Sequence, residues 1–334
     1  MNPTYDVVVA TGGIGSGMFL ALHGDRTLGR EESRAATLLD QRDYCKQHIV
    51  CHYVQRLLGS DVRVVPIGKV GDDAPGRDAV AEMRAVGMDT SFVTVAPRPT
   101  LFSVCFLYPD GGGGNITTAG SASDCVEPDD IRRAAPVFAE HQGSGIAVAL
   151  PEVPLAARAA LLDLATDAGF RRVATFVSQE WEPVLDAGLL TEVDVLAVNL
   201  DEAAALADTS AEGASGADVL EAVRRRLRSV NPRLSVVVTA GRQGSWAWDG
   251  REVSHAAALD VDVASTAGAG DAHLAGLVVA IARGLPLATA NRYAALLSGL
   301  KVTSRHTINP DVTPERVREA ARSVRWPLPA SLPG

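Results

Sequence analysis

Thr266-Ala267-Gly268-Ala269-Gly270-Asp271, followed by an apolar run over residues 272–282, sets an anion site and a base side by side. Small residues bring the backbone N–H groups of Gly268, Ala269 and Gly270 to the start of a helix, where the helix dipole favours negative charge. A carboxylate there stands beside whatever anion those groups hold, so Asp271 is placed to take a proton from a hydroxyl attacking a bound phosphate. The same local pattern also fits a glycine-rich turn with Asp271 capping a helix.

Outward from this stretch, strand and helix signals alternate, which predicts an α/β fold with a mostly parallel sheet covered by helices on both faces. Strands are expected at residues 7–10, 62–67, 145–150, 172–176, 193–198 and 235–239. Helices are expected at 155–168, 217–229 and 288–303, and over 78–86, where Val80, Met83 and Val86 recur at helical spacing before Gly87. Two segments break the rhythm: 101–118 reads as a hairpin around a glycine-rich turn, and 18–39 is polar and charge-rich. An accessory layer over the sheet accounts for both. The expected organisation is a single domain over 1–325, lid elements around 18–39 and 98–120, and a flexible tail over 326–334.

A net charge of -9 argues against nucleic acid as a partner, because counterion release needs a basic face. The run Arg224-Arg225-Arg226-Leu227-Arg228 falls in a helical pattern and reads as a solvated face. Cys45, Cys51, Cys105 and Cys125 form neither a disulfide framework nor a CxxC ribbon, which fits a reducing compartment. With no signal-peptide pattern and no apolar run of spanning length, a soluble cytoplasmic protein without a membrane partner is expected.

Ser265-Thr266-Ala267-Gly268-Ala269-Gly270-Asp271 resembles the second signature of the ribokinase-like (PfkB) sugar kinases, Asp-Thr-x-Gly-Ala-Gly-Asp, with Ser265 in place of the first Asp. The resemblance implies a three-layer ribokinase-like sandwich with a small β lid, Asp271 as catalytic base, and Gly268, Ala269 and Gly270 as an anion hole, with Thr266 beside the nucleotide. Asn199 and Glu202, at the end of a predicted strand, match the family's Asn-x-x-Glu, linked to Mg²⁺ and phosphate through water; capping of the next helix is the competing reading. Thr239, Gly241 and Gly244 resemble the nucleotide loop Thr-x-Gly-x-x-Gly, a pattern that any turn between strands also satisfies. Residues 67–76 and 87–90 resemble segments of the family and read as structural. The likeness covers 62 to about 310 and implies ATP and Mg²⁺ as cofactors, with a homodimer through the lid as an option.

Residues 11–58 depart from the family, whose Asp after the first strand and Gly-Gly-x-x-x-Asn helix start hold substrate hydroxyls. Those places show Thr11-Gly12-Gly13-Ile14-Gly15-Ser16-Gly17 and Asp40-Gln41-Arg42-Asp43-Tyr44-Cys45, a rebuilt substrate pocket. Gly12, Gly13 and Gly15 lack the third glycine of a dinucleotide fingerprint and are expected to turn N–H groups toward substrate. Asp43 is a further substrate candidate. Arg30 and Arg34 are placed to grip an anion, or else pair with their acidic neighbours within a helix. Cys45, His48 and His52 share a helix face, open to zinc, to packing or to sugar hydrogen bonds. The function implied is ATP-dependent phosphorylation of a hydroxyl on a sugar-like molecule; the alternatives are a nucleoside kinase of the same fold and a non-catalytic ligand-binding member.

Overall fold

Val7, Val8, Val9 and Ala10 are wholly buried, with Val8 and Ala10 in one core cluster and Val7 and Val9 in another. That alternation is the two-residue period of a strand with protein on both faces. The computed structural model describes residues 4–24, 26–109 and 113–333, without the side chains of 40–42. The first half of the chain runs β1 (Val7–Thr11), β2 (Gly15–Leu22), β3 (Ala36–Tyr44), α1 (Lys46–Leu58), β4 (Arg63–Gly71), α2 (Ala74–Val86), β5 (Phe92–Ala96), β6 (Leu101–Leu107), β7 (Gly113–Thr117), α3 (Pro128–Arg132) and α4 (Ala135–Glu140). The second half runs β8 (Gly145–Ala149), α5 (Leu155–Asp167), β9 (Arg171–Ala174), α6 (Trp181–Asp186), β10 (Val195–Asn199), α7 (Leu200–Leu206), α8 (Gly216–Leu227), β11 (Ser235–Thr239), β12 (Ser245–Trp248), β13 (Val253–Ala256), α9 (Ala269–Ala282), α10 (Leu287–Lys301) and α11 (Pro314–Ser323).

A nine-stranded sheet has the order β13-β12-β11-β10-β9-β8-β1-β4-β5, parallel except for the antiparallel pairings of β12 and β13 at one edge. Helices α1, α2, α9 and α10 cover one face, while α5 and α8 lie against the other. The expected alternation is therefore observed, and helices α5, α8 and α10 stand within two residues of their predicted limits. Helix α2 starts four residues earlier than the apolar spacing indicates, because Asp73 caps it by accepting from the Gly76 N–H at 2.9 Å.

A second sheet of order β3-β2-β6-β7 contains the expected 101–118 hairpin, with Val104 opposite Ile116. Its glycine-rich turn falls partly outside the described residues. The segment 18–39 gives its two ends to the same sheet, residues 18–22 to β2 and 36–39 to β3, which pair antiparallel, with β2 also lying parallel to β6. Burial alternates along β2 from Gly15 to Leu20, but residues 18–22 are all apolar, which hides the two-residue period in the sequence.

Helix α9 is buried from Ala272 to Ala282, and Gly276 lets α10 approach so closely that a Cβ there would lie 2.6 Å from Ala294 Cα. An apolar helix locked in this way presents only its N-terminal turn to the carboxyl ends of the strands. No helix among the described residues is long and apolar enough to cross a membrane.

Candidate active site

Gly268 caps α9 in the left-handed region at φ 76°, and a Cβ there would lie 2.8 Å from the Thr307 carbonyl. Only glycine fits that turn. The Ala269 N–H donates to the Thr266 carbonyl at 3.0 Å. Among the described residues, the N–H groups of Gly270 and Asp271 have no protein acceptor and open the helix to an anion. Ser265 is buried, and its hydroxyl accepts from the Ala267 N–H at 3.3 Å.

Asp271, Gly270, Asn199, Glu202, Thr239, His273 and Lys46 line a common cavity of about 60 Å³. Lys46, the first residue of α1, sets its ammonium 3.9 Å from Asp271 Oδ1. The Asp271 charge, with those of Glu152 and Glu202, holds the Lys46 ammonium above its ordinary pKa against the cost of burial. Glu152 follows β8 with φ 73°, strained for a residue with a side chain, and its carboxylate accepts from the Lys46 N–H at 3.2 Å. Burial pushes Glu152 up to about 7, with the Lys46 charge pulling the other way. Sequence reasoning missed both residues, although each stands where a strand hands over to a helix.

Asn199 and Glu202 form a reciprocal cap on α7: Glu202 N–H donates to Asn199 Oδ1 at 2.8 Å, and Asn199 N–H to Glu202 Oε2 at 2.9 Å. The capping reading is thus realised, while both residues still line the cavity. Burial raises the Glu202 pKa, so a cation beside it would be welcome. No cluster of three or more acidic, His or Cys ligands exists among the described residues, so a metal here would keep water and phosphate oxygens as ligands, the habit of Mg²⁺.

A second cavity of about 540 Å³ shares Thr239, Gly270 and His273 with the first and includes Gly241, Gly244 and Thr266. Leu259, Val263, Ala295 and Val302 give it apolar walls. Thr239, Gly241, Gly244 and Thr266 therefore meet in one place, while Asn199 lines only the smaller cavity.

The substrate-side expectations fare differently. Gly13 N–H donates to the Pro151 carbonyl at 3.0 Å, and Ile14 N–H to Ser123 at 3.3 Å, so neither points to a ligand. Gly12, Gly13 and Gly15 serve close packing: an added Cβ would lie 2.6 Å from Leu150, 2.5 Å from Glu152 and 2.1 Å from the Leu101 carbonyl, respectively. Asp43 is 1% exposed and accepts from Ser103 at 2.8 Å, Cys105 at 3.1 Å and the Tyr44 N–H at 2.9 Å. Burial raises its pKa, and those donors oppose the rise. Arg34 is bound to Glu32 at 2.7 and 2.8 Å in a non-helical loop, and neither Arg30 nor Arg34 lines either cavity. Cys45 precedes α1, while the His48 ring packs at a tilt against Tyr44 with ring centroids 4.4 Å apart; burial lowers His48 to about 3 and His52 to about 4. Among the described residues these three side chains belong to no group of three or more His, Cys, Asp or Glu that could hold a metal.

This layered sheet, with its cavities at the carboxyl edge and a small second sheet, defines a protein of the ribokinase fold. It is similar to ribokinase from Giardia lamblia, with TM-score 0.78 and 17% identity over 94% of this chain and 99% of that one. Ribokinase from Cryptococcus neoformans var. grubii serotype A, solved with ADP, gives 0.76 and 20% over the same shares of 94% and 99%. Arabidopsis thaliana ribokinase, solved with ribose and ATP, gives 0.72 and 20% over 95% and 98%. Residues 50–314 match the pfkB family of carbohydrate kinases, and the chain belongs to that family. It is also 27% identical over 275 residues to the bifunctional protein HldE of Hyphomonas neptunium, covering 79% of this chain and 53% of that one, so it spans about half that relative's length.

Proposed function

We propose that the chain is an ATP-dependent kinase acting on a hydroxyl of a sugar or sugar-like molecule. The observation that carries this is the meeting of the Asp271 carboxylate and the first-turn N–H groups of α9 in one cavity with Asn199, Glu202 and Thr239, open to a pocket of nucleotide size. Asp271 takes the hydroxyl proton as the new O–P bond forms and the bond to the β-phosphate oxygen breaks, releasing ADP. The N–H groups of Gly270 and Asp271 hold the oxygens of the phosphoryl in transit, and the Lys46 ammonium adds a cation beside them. Asn199 and Glu202 would hold Mg²⁺ through water, and that ion would supply positive charge against the phosphates. The sheet of β2, β3, β6 and β7 is the candidate lid that excludes water.

ADP release measured over a panel of sugars, sugar acids and nucleosides tests this reading. Asp271→Asn is expected to lower turnover by roughly 10²- to 10⁴-fold with ATP affinity little changed. Near-normal turnover in that variant overturns the base assignment. Turnover of nucleosides alone moves the acceptor class, and ATP binding without ADP from any acceptor leaves a non-catalytic binding protein.

A further inference from the structure

Lys301, the last residue of α10, is 0% exposed, and its ammonium donates to the Ser265 carbonyl at 3.0 Å. The same helix end grips the loop before Asp271 at three more points. Val302 carbonyl accepts from the N–H groups of Ala264 and Ser265 at 2.8 and 3.2 Å, and the Ser298 hydroxyl donates to the Ala269 carbonyl at 3.0 Å.

A buried ammonium whose recorded partner is a neutral carbonyl is costly, and a neutral residue of similar volume would serve packing better. Composition sharpens the point, since only Lys46, Lys69 and Lys301 are lysines among the chain's 31 Lys and Arg residues. Arginine supplies the other 28 basic residues. Lysine appears where a compact cation is required, as in the Lys69–Asp130 pair at 2.6 Å. Burial lowers Lys301 to about 8, with Asp271, Asp43 and Cys105 opposing the fall.

A trans peptide points its C=O and N–H in opposite directions. With the Ser265 carbonyl held on Lys301, the Thr266 N–H is turned the other way, and Thr266 lines the larger cavity. We infer that Lys301 is the positioning residue of the anion-binding loop: its buried ammonium, anchored on the Ser265 carbonyl, orients the loop's peptides and supplies a positive charge behind the phosphoryl site. The inference rests on the anion-site reading proposed above. It also gives the Ser265 departure a reason, since an acid there would stand beside the ammonium and cancel its charge.

Calorimetric titration with ADP, and with ADP plus aluminium fluoride as a mimic of the phosphoryl in transit, needs no acceptor. Wild type is expected to bind the fluoride complex more tightly than ADP. Lys301→Met is expected to keep ADP affinity and lose about tenfold or more of that advantage. Lys301→Ala is expected to regain part of it with methylammonium in the buffer, a rescue that a packing role would not show. An unchanged advantage in Lys301→Met overturns the inference, whereas no advantage in wild type overturns the anion-site reading itself. Should Lys301→Met melt early, Ser265→Asp leaves the lysine in place and sets a carboxylate against it; the same loss is expected, and wild-type affinity refutes the role.

Discussion

The Lys46 ammonium faces Asp271 across the smaller cavity at 3.9 Å, the first residue of α1 against the third of α9. At that separation the pair is loose enough to admit a substrate oxygen, and the cation is held protonated by three acids around it. Lys46→Met is expected to lower kcat by roughly 10- to 100-fold while the KM for ATP changes little, since the charge matters most when phosphoryl charge is in transit. Lys46→Arg is expected not to restore it, because a planar fork is no substitute for a point charge. Steady-state ADP release decides; an unchanged kcat makes Lys46 a bystander.

Gly268→Ala tests whether the loop geometry is intrinsic. The left-handed φ of 76° and the Thr307 carbonyl at 2.8 Å from an added Cβ both resist a side chain. The variant is expected to lose about 1–3 kcal/mol of stability and to release Thr307 from its contact with Tyr44 N–H, which it accepts at 3.2 Å. Chemical denaturation beside an activity assay measures both. A variant as stable as wild type would mean the loop relaxes freely.

The sequence made the large sheet legible because its central strands are buried on both faces and appear as continuous apolar runs, as in 145–150 and 235–239. The residues that line the larger cavity were legible for a related reason: Thr239 ends β11, Gly241 and Gly244 lie in the turn after it, and Gly270 lies in the first turn of α9, so their pattern is local in sequence. The charged groups around Asp271 were not. Lys46, Glu152 and Lys301 are far apart in sequence, and what unites them is a shared field around Asp271. The scarcity of lysine was the available signal. The β12–β13 hairpin was also overlooked, although Asp249-Gly250 marks its turn, where Asp249 accepts from the N–H groups of Arg251 and Glu252 at 2.9 Å each.

Glu152 gives a pH signature of the fold itself. Its native pKa is raised to about 7 from an ordinary 4.5, so between those values the folded state binds more protons than the unfolded one. Stability from this group is therefore complete below 4.5 and declines as pH rises toward 7. Relative to Glu152→Gln, wild type is expected to lose on the order of 1–2 kcal/mol across that window, measured by urea denaturation at both ends. A difference that stays flat, or grows with pH, rejects the buried-carboxyl account.

Glu202→Gln separates the two roles that meet at the end of β10. Glutamine can still accept the Asn199 N–H through its amide oxygen, so the reciprocal cap survives and the melting temperature is expected to stay near wild type. What disappears is one negative charge on the cavity wall that also holds Asp271, Lys46 and Asn199. The Mg²⁺ concentration for half-maximal rate is therefore expected to rise several-fold. Asn199→Ala supplies the contrast, since it removes the oxygen that accepts the Glu202 N–H at 2.8 Å and is expected to cost about 1 kcal/mol of stability. A magnesium titration unmoved by Glu202→Gln, with stability unmoved as well, would leave the residue as a helix cap and nothing more.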